Sequence, residues 1–132
     1  MSPQENLHDA IGMMAYLVAI ADGKIQREER ELWEKIVSDE IRSHDKNFNI
    51  SSISFKLLEK DKLDADMIYD WVIKEMKNNS HYLSPELKLT ALRILEKIAK
   101  AIPPITVSEK NYISRFRKDI TSLHGDPVYY NS

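Results

Sequence analysis

The sequence predicts an all-α fold: a single compact bundle of six or seven helices. Three observations predict it. Apolar residues recur at helical spacing along nearly the whole chain, and no stretch alternates long enough to make a convincing strand. The five prolines stand mostly at the edges of the periodic segments, where a residue lacking an N–H does least harm to a helix. A chain of 132 residues is one domain by length, and it can bury roughly two-thirds of its unfolded surface without a disulfide or metal staple.

The first helix is predicted over residues 4–21. Leu7, Ile11, Met14, Leu17, Val18 and Ala21 make it apolar on most sides, so it belongs at the centre with neighbours on several faces. Asp22-Gly23 ends it, glycine being free to adopt the left-handed conformation past a helix end. The second helix, residues 27–41, has a core stripe of Leu32, Trp33, Ile36, Val37 and Ile41, with Arg27, Arg30, Glu31, Glu34 and Lys35 opposite. Residues 42–51 read as a polar loop, and a short helix follows at 54–60 with Phe55, Leu57 and Leu58.

The next helix opens at Asp64, a good N-cap, with Leu63 before it poised to staple to Ile68. Ile68, Trp71, Val72 and Met76 are its predicted buried face, and Asn78-Asn79 stops it. Ser84-Pro85-Glu86 opens the following helix, serine as cap and proline at the first helical position. Its core face is Leu87, Ala91, Ile94, Leu95, Ile98 and Ile102, and Pro103-Pro104 ends it. The last long helix starts at the capping box Thr106-Val107-Ser108-Glu109 and buries Tyr112, Ile113, Phe116 and Ile120. The domain thus spans 1–121. The tail, 122–132, is polar apart from Val128, Tyr129 and Tyr130, and both disorder and docking of its tyrosines are open.

Displacing the chain by eighty positions superimposes two segments in character. Met14, Val18, Ala21, Ile25, Glu29, Leu32 and Ile36 fall on Ile94, Ile98, Ala101, Ile105, Glu109, Tyr112 and Phe116. Each half is a long apolar helix, a tight connection, an isoleucine, then a helix with glutamate in its first turn. Two pseudo-repeated helix–loop–helix units follow, about 7–37 and 87–117, and stacked pairs of this kind bury a shared core.

Composition narrows the function. Nineteen basic against twenty-one acidic residues leave a net charge of −2, which lacks the basic excess by which nucleic-acid binders displace counterions, so no nucleic-acid partner is expected. Three glycines leave little for a phosphate-cradling loop. The absence of cysteine removes thiolate chemistry and fits a reducing, cytoplasmic compartment. Met1-Ser2-Pro3-Gln4-Glu5 has no basic secretory n-region. The longest uncharged apolar run, 11–21, at about 1.5 Å per residue reaches only about half of a ~30 Å hydrocarbon core, so no membrane span is expected.

One loop carries a specific pattern. In Ala19-Ile20-Ala21-Asp22-Gly23-Lys24-Ile25-Gln26-Arg27-Glu28-Glu29, an apolar helix ends in alanine. Asp-Gly, a variable residue, an aliphatic residue and an acidic helix start then follow. This resembles the signature of the TerB family, the helical domains associated with tellurite resistance; similar domains occur inside some membrane-anchored J-domain co-chaperones. The resemblance is sharp over 7–37 and weaker over 87–117. It implies an all-helical fold with two such units, a role in bacterial stress resistance, and an acidic loop that holds a metal ion. Two departures stand out: Gln26 replaces the usual Ser, Thr or Asp cap, and Ile102-Pro103-Pro104 stands where the second unit's acid and glycine should be. An acidic site is therefore present once at most.

Asp22 and Glu29 are the candidate metal ligands. Glu29 has a structural reading, since it occupies the third helical position if Gln26 caps and can reach back to a free backbone N–H. Asp22 faces the negative end of a helix dipole, which costs typically ~0.3–1 kcal/mol. Either its carboxylate accepts from N–H groups of its own turn, or a cation shared with helix-end carbonyls compensates. Oxygen ligands select Ca²⁺, Mg²⁺ or Mn²⁺ over zinc.

Other motifs carry less. Asp45-Lys46-Asn47-Phe48-Asn49 starts like an EF-hand loop, but Ile50 takes the glycine position and Lys56 the bidentate glutamate position; a loop begun at Asp22 reaches Trp33 at position twelve. His8, His44, His81 and His124 have no ligand partner three or four residues on, and read as surface histidines. Lys110, Arg115, Arg117 and Lys118 read as a solvated face, and Trp33, Trp71 and Tyr112 as core. No nucleophile elbow, Walker loop, dinucleotide fingerprint or zincin motif occurs, so no catalytic or cofactor-binding residue is predicted. The expectation is a non-enzymatic TerB-like stress-response domain with a divalent-cation loop and a protein partner. The alternatives are a metal-free interaction or scaffold domain, and a hydrolase or lyase using an acidic pocket.

Overall fold

The computed structural model describes residues 2–21, 27–49, 64–101 and 105–130. The predicted helix at 54–60, the Asp22-Gly23 turn, the Leu63 staple and the Pro103-Pro104 stop lie outside them. Within the described residues the fold is all-helical: α1 (Pro3–Ala19), α2 (Arg27–Arg42), α3 (Ala65–Asn78), α4 (Pro85–Ala101), α5 (Val107–Thr121) and the short α6 (Pro127–Tyr130), with a 3-10 turn at Ser80–Tyr82.

Helix α1 is the central member, as its near-continuous apolar surface requires. Leu7, Ala10, Ile11, Met14, Ala15, Leu17 and Val18 are all fully buried, and the helix packs against α2, α3, α4 and α5, most extensively against α3. Its start is a complete capping box. The Ser2 hydroxyl accepts from the Glu5 N–H (3.2 Å), and the Glu5 carboxylate accepts from the Ser2 N–H (3.4 Å), with Pro3 opening the helix. Around it the other helices present stripes at three- and four-residue spacing: Trp33, Val37 and Ile41 from α2, Ile68, Val72 and Met76 from α3, Leu87, Ala91, Ile94 and Ile98 from α4, and Phe116 and Ile120 from α5. No described helix is long and apolar enough to cross a membrane.

The caps fall where the sequence puts them. Asp64 accepts from the Asp66 N–H, Ser84 from the Leu87 N–H and Thr106 from the Glu109 N–H. Under the eighty-residue displacement the first residue of α2 lands on the first of α5, and α1 and α4 are each 17 residues long.

Two expected core residues lie elsewhere. Leu32 is 37% exposed and Trp71 39% exposed. On α3 the buried stripe runs through Ile68, Tyr69, Val72 and Met76; at about 100° per residue Trp71 falls roughly a third of a turn from its centre. Tyr69 takes the core position instead. The tail docks: the Asp126 N–H donates to the His81 carbonyl (2.9 Å), Lys88 Nζ donates to the Leu123 carbonyl, and the Tyr129 ring lies against His81 and Tyr82.

Candidate functional site

Of the two predicted ligands, Glu29 stands partly exposed in the first turn of α2. Asp22 lies outside the described residues, and so does its geometry toward Glu29.

A different site is assembled at the opposite end of α1, where the segment after α2 folds under the helix start. The Ser43 hydroxyl donates to the Glu40 carbonyl (2.6 Å), and the His44 and Asp45 N–H groups both donate to the Ile41 carbonyl (2.9 Å each), unwinding α2 into a turn. Asp45 Oδ1 accepts from the Asn47 N–H (3.0 Å), an Asx turn. The Asp45 carbonyl accepts from the Phe48 N–H (3.1 Å), and Arg42 Nε donates to the Phe48 carbonyl (3.1 Å). The stretch that begins like an EF-hand loop is thus a turn whose aspartate binds its own backbone. It drives Phe48 into the core, edge-on to His8 at 5.9 Å.

His8, expected at the surface, is only 5% exposed. Its Nδ1 has no hydrogen-bond partner among the described residues, and Asp45 Oδ2 stands 3.7 Å away, beyond hydrogen-bond reach. Burial lowers its basicity, and Asp45 only partly offsets this. A signal for the burial was present: His8, Ile11 and Ala15 share one face of a helix that is apolar nearly all round.

His8 and Asp45 form a partition between two hollows. The larger, about 430 Å³, lies at the head of α1 and is lined by Ser2, Glu5, Asp9, Asn47 and Asn49 among others. Asp9 is pushed up to about 6, by burial first and then by the nearby Glu5 and Glu75 carboxylates. The smaller, about 330 Å³, is lined on its other sides by His44, Tyr82, Leu87 and Tyr130. On that side the Thr90 hydroxyl gives its proton to the Glu86 carbonyl (2.9 Å), so it accepts from His44 Nε2 (2.6 Å). The larger hollow presents the three carboxylates of Glu5, Asp9 and Asp45, a wall of negative charge.

A third grouping joins α3 to α5. Tyr69 donates to Asp119 Oδ2 (2.5 Å) beneath the Arg115 guanidinium, which sits 4.0 Å from the ring centre. Burial and the Asp119 bond hold the phenol protonated well above its ordinary range. With its acid engaged by the phenol, this grouping braces two helices. Against these geometries, comparison of the chain with family models, curated proteins and solved structures finds no match.

Proposed function

We propose that this chain is a non-enzymatic, cytoplasmic TerB-like stress-response domain that binds a divalent cation at the Asp22-Gly23 loop, with Glu29 as second ligand, and a protein partner on an exposed face. The observation that carries the reading is the disposition of the first helix pair. The long apolar α1 ends at Ala19, and α2 starts at Arg27 with Glu28 and Glu29 in its first turn. An acid-rich helix start a short loop away from a helix end is the arrangement in which carboxylates and helix-end carbonyls can share one hard cation. The agreement of bounds between the two helix pairs supports the same resemblance.

Calorimetric titration of the full chain with Ca²⁺, Mg²⁺ and Mn²⁺ tests the loop. One of these ions is expected to give saturable heat that is lost in Asp22→Ala and weakened in Glu29→Ala. At about a hundredfold excess over Kd such an ion stabilises the folded state by about 2.7 kcal/mol, which for a domain of this size raises Tm by roughly 10 °C. No heat and no Tm shift with any of the three removes the metal from the proposal.

A second reading, a metal-free interaction domain, is favoured by a specific feature of α3. Met67 (60% exposed) and Trp71 lie one turn apart on its flank, an aromatic and a methionine side by side at the surface. On this reading the protein binds its partner equally well in metal chelator, and Trp71→Ala weakens capture while Asp22→Ala does not.

A further inference from the structure

We propose that the turn Asp45–Phe48 is an acid-released latch, with His8 beneath it as the sensor and Phe48 as the plug. Mild acidification frees this turn while the helices stay folded, and the partition between the two hollows opens.

The latch is held lightly. Among residues 42–49 only Phe48 is buried. Three hydrogen bonds close the turn around it: the Asn47 N–H to Asp45 Oδ1, the Phe48 N–H to the Asp45 carbonyl, and Arg42 Nε to the Phe48 carbonyl. The His44 ring, bound through Nε2 to Thr90, anchors the start of the segment. That bond survives acid, since an imidazolium still donates through Nε2. Freedom therefore begins after His44.

The sensor is a covered imidazole with nothing placed to receive a second N–H. His8 is buried, its ring meets the Phe48 ring edge-on, and Nδ1 has no hydrogen-bond partner among the described residues. A neutral ring tolerates this, because Nδ1 is then the nitrogen without a proton. A charged ring must donate from Nδ1, and a buried charge without a partner is strongly disfavoured. The nearest acceptor, Asp45 Oδ2, stands 3.7 Å away, while Oδ1 of the same carboxylate holds the turn. Two movements satisfy the new donor. Either Asp45 swings onto the ring and leaves the Asn47 N–H, or Phe48 withdraws and water reaches the nitrogen. Both undo the same turn.

The groups facing the ring set the direction. Burial and the neighbouring His44 oppose the imidazolium, Asp45 and Glu5 favour it, and burial prevails. Asp9, which lines the larger hollow with His8, takes up a proton near pH 6 and so brings no compensating anion in acid. Tyr82 and Tyr130, in the smaller hollow, offer uncharged phenols. The open latch, with its ring in water, binds the proton better than the closed one. Its population therefore grows as pH falls below the ordinary histidine value of 6.5.

The test is site-resolved hydrogen exchange of the full chain between about pH 7.5 and about pH 5, corrected for intrinsic rates and followed beside the His8 ring NMR signals. Protection of the Phe48 amide is expected to fall about tenfold or more over this range, while Val72 and Met76 in the core of α3 keep theirs. The midpoint of the fall should coincide with the titration of His8. His8→Leu should abolish the fall, and His44→Gln should retain it. Four results overturn the proposal: Phe48 protection that does not change, an equal loss at Val72, a midpoint apart from that of His8, or a fall that persists in His8→Leu. Should His8→Leu fail to fold, the coincidence of midpoints in the parent protein decides. Asp22→Ala should leave the response unchanged, which separates the latch from the cation loop.

Discussion

At the residue scale Asp9 carries a charge that its surroundings oppose. A carboxyl raised from 3.8 to about 6 holds a proton in the folded state that it has already lost in the unfolded chain. Between those two values the folded state therefore binds more protons, and stability contributed by this group falls as pH rises, the penalty being complete above about 6. Asp9 is only partly buried, so solvent screening reduces the full linkage value to about 1 kcal/mol. Asp9→Asn is expected to stabilise the protein by about that amount near neutral pH and to change nothing below pH ~4, measured by urea unfolding at the two pH values. A variant no more stable than the parent near neutrality contradicts the assignment. His8 acts in the opposite sense: its lowered basicity means that stability is present above its ordinary value of 6.5 and is lost as the solution is acidified through it. Asp45, Glu5 and His44 are the charges that face it.

At the element scale, the side of a helix on which a large apolar residue falls sets its worth. Trp33 is 1% exposed on α2 and meets Tyr16 edge-on at 6.3 Å, while Trp71 stands on the flank of α3. Trp33→Ala is expected to cost about 3–5 kcal/mol, the transfer term plus the cavity left in the bundle. Trp71→Ala should cost under about 1 kcal/mol, as surface substitutions generally do. Denaturant midpoints of the two variants check the difference, and comparable losses would place Trp71 in the core after all. Between elements, Glu40 near the end of α2 accepts from both Arg93 (3.2 Å) and Lys97 on α4. It locks the mutual rotation of these helices in a way that nonspecific apolar contact does not.

At the scale of the whole molecule the C-terminal segment closes the fold. A Cβ added at Gly125 would meet the Leu83 carbonyl oxygen at 2.4 Å. That is a backbone atom and cannot yield, so only glycine lets the chain pass this close. Gly125→Ala is expected to lift α6 from the 3-10 turn while leaving the bundle of α1–α5 folded. Chymotrypsin should then cleave after Tyr129 and Tyr130 many-fold faster than in the parent, with an unchanged far-ultraviolet circular dichroism spectrum. Cleavage at the parental rate would show that the segment stays docked. Because Tyr130 walls the smaller hollow beside His8 and His44, the same variant opens that side of the partition.

Within the described residues, the amino-acid sequence by itself determined the long helices, the caps at Asp64, Ser84 and Thr106, and most of the core. Apolar spacing and cap residues are local properties, readable wherever a periodic run meets Ser, Thr or Asp. One such signal, the Ser2–Glu5 capping box, is written in the sequence and starts α1 at Pro3, just ahead of the 4–21 helix drawn from periodicity. Only the tertiary structure decided that His8 is buried, that Asp45 holds its own turn with one oxygen and stands near His8 with the other, and that Glu5 and Asp9 face the same hollow. Residues 8 and 45 are brought together by the packing of α2 and its exit turn beneath α1. A histidine at helical spacing carries no mark of which neighbour will cover it. The reason is general: caps and periodicity act within a turn or two of chain, whereas burial of a polar atom depends on surfaces supplied from far along it.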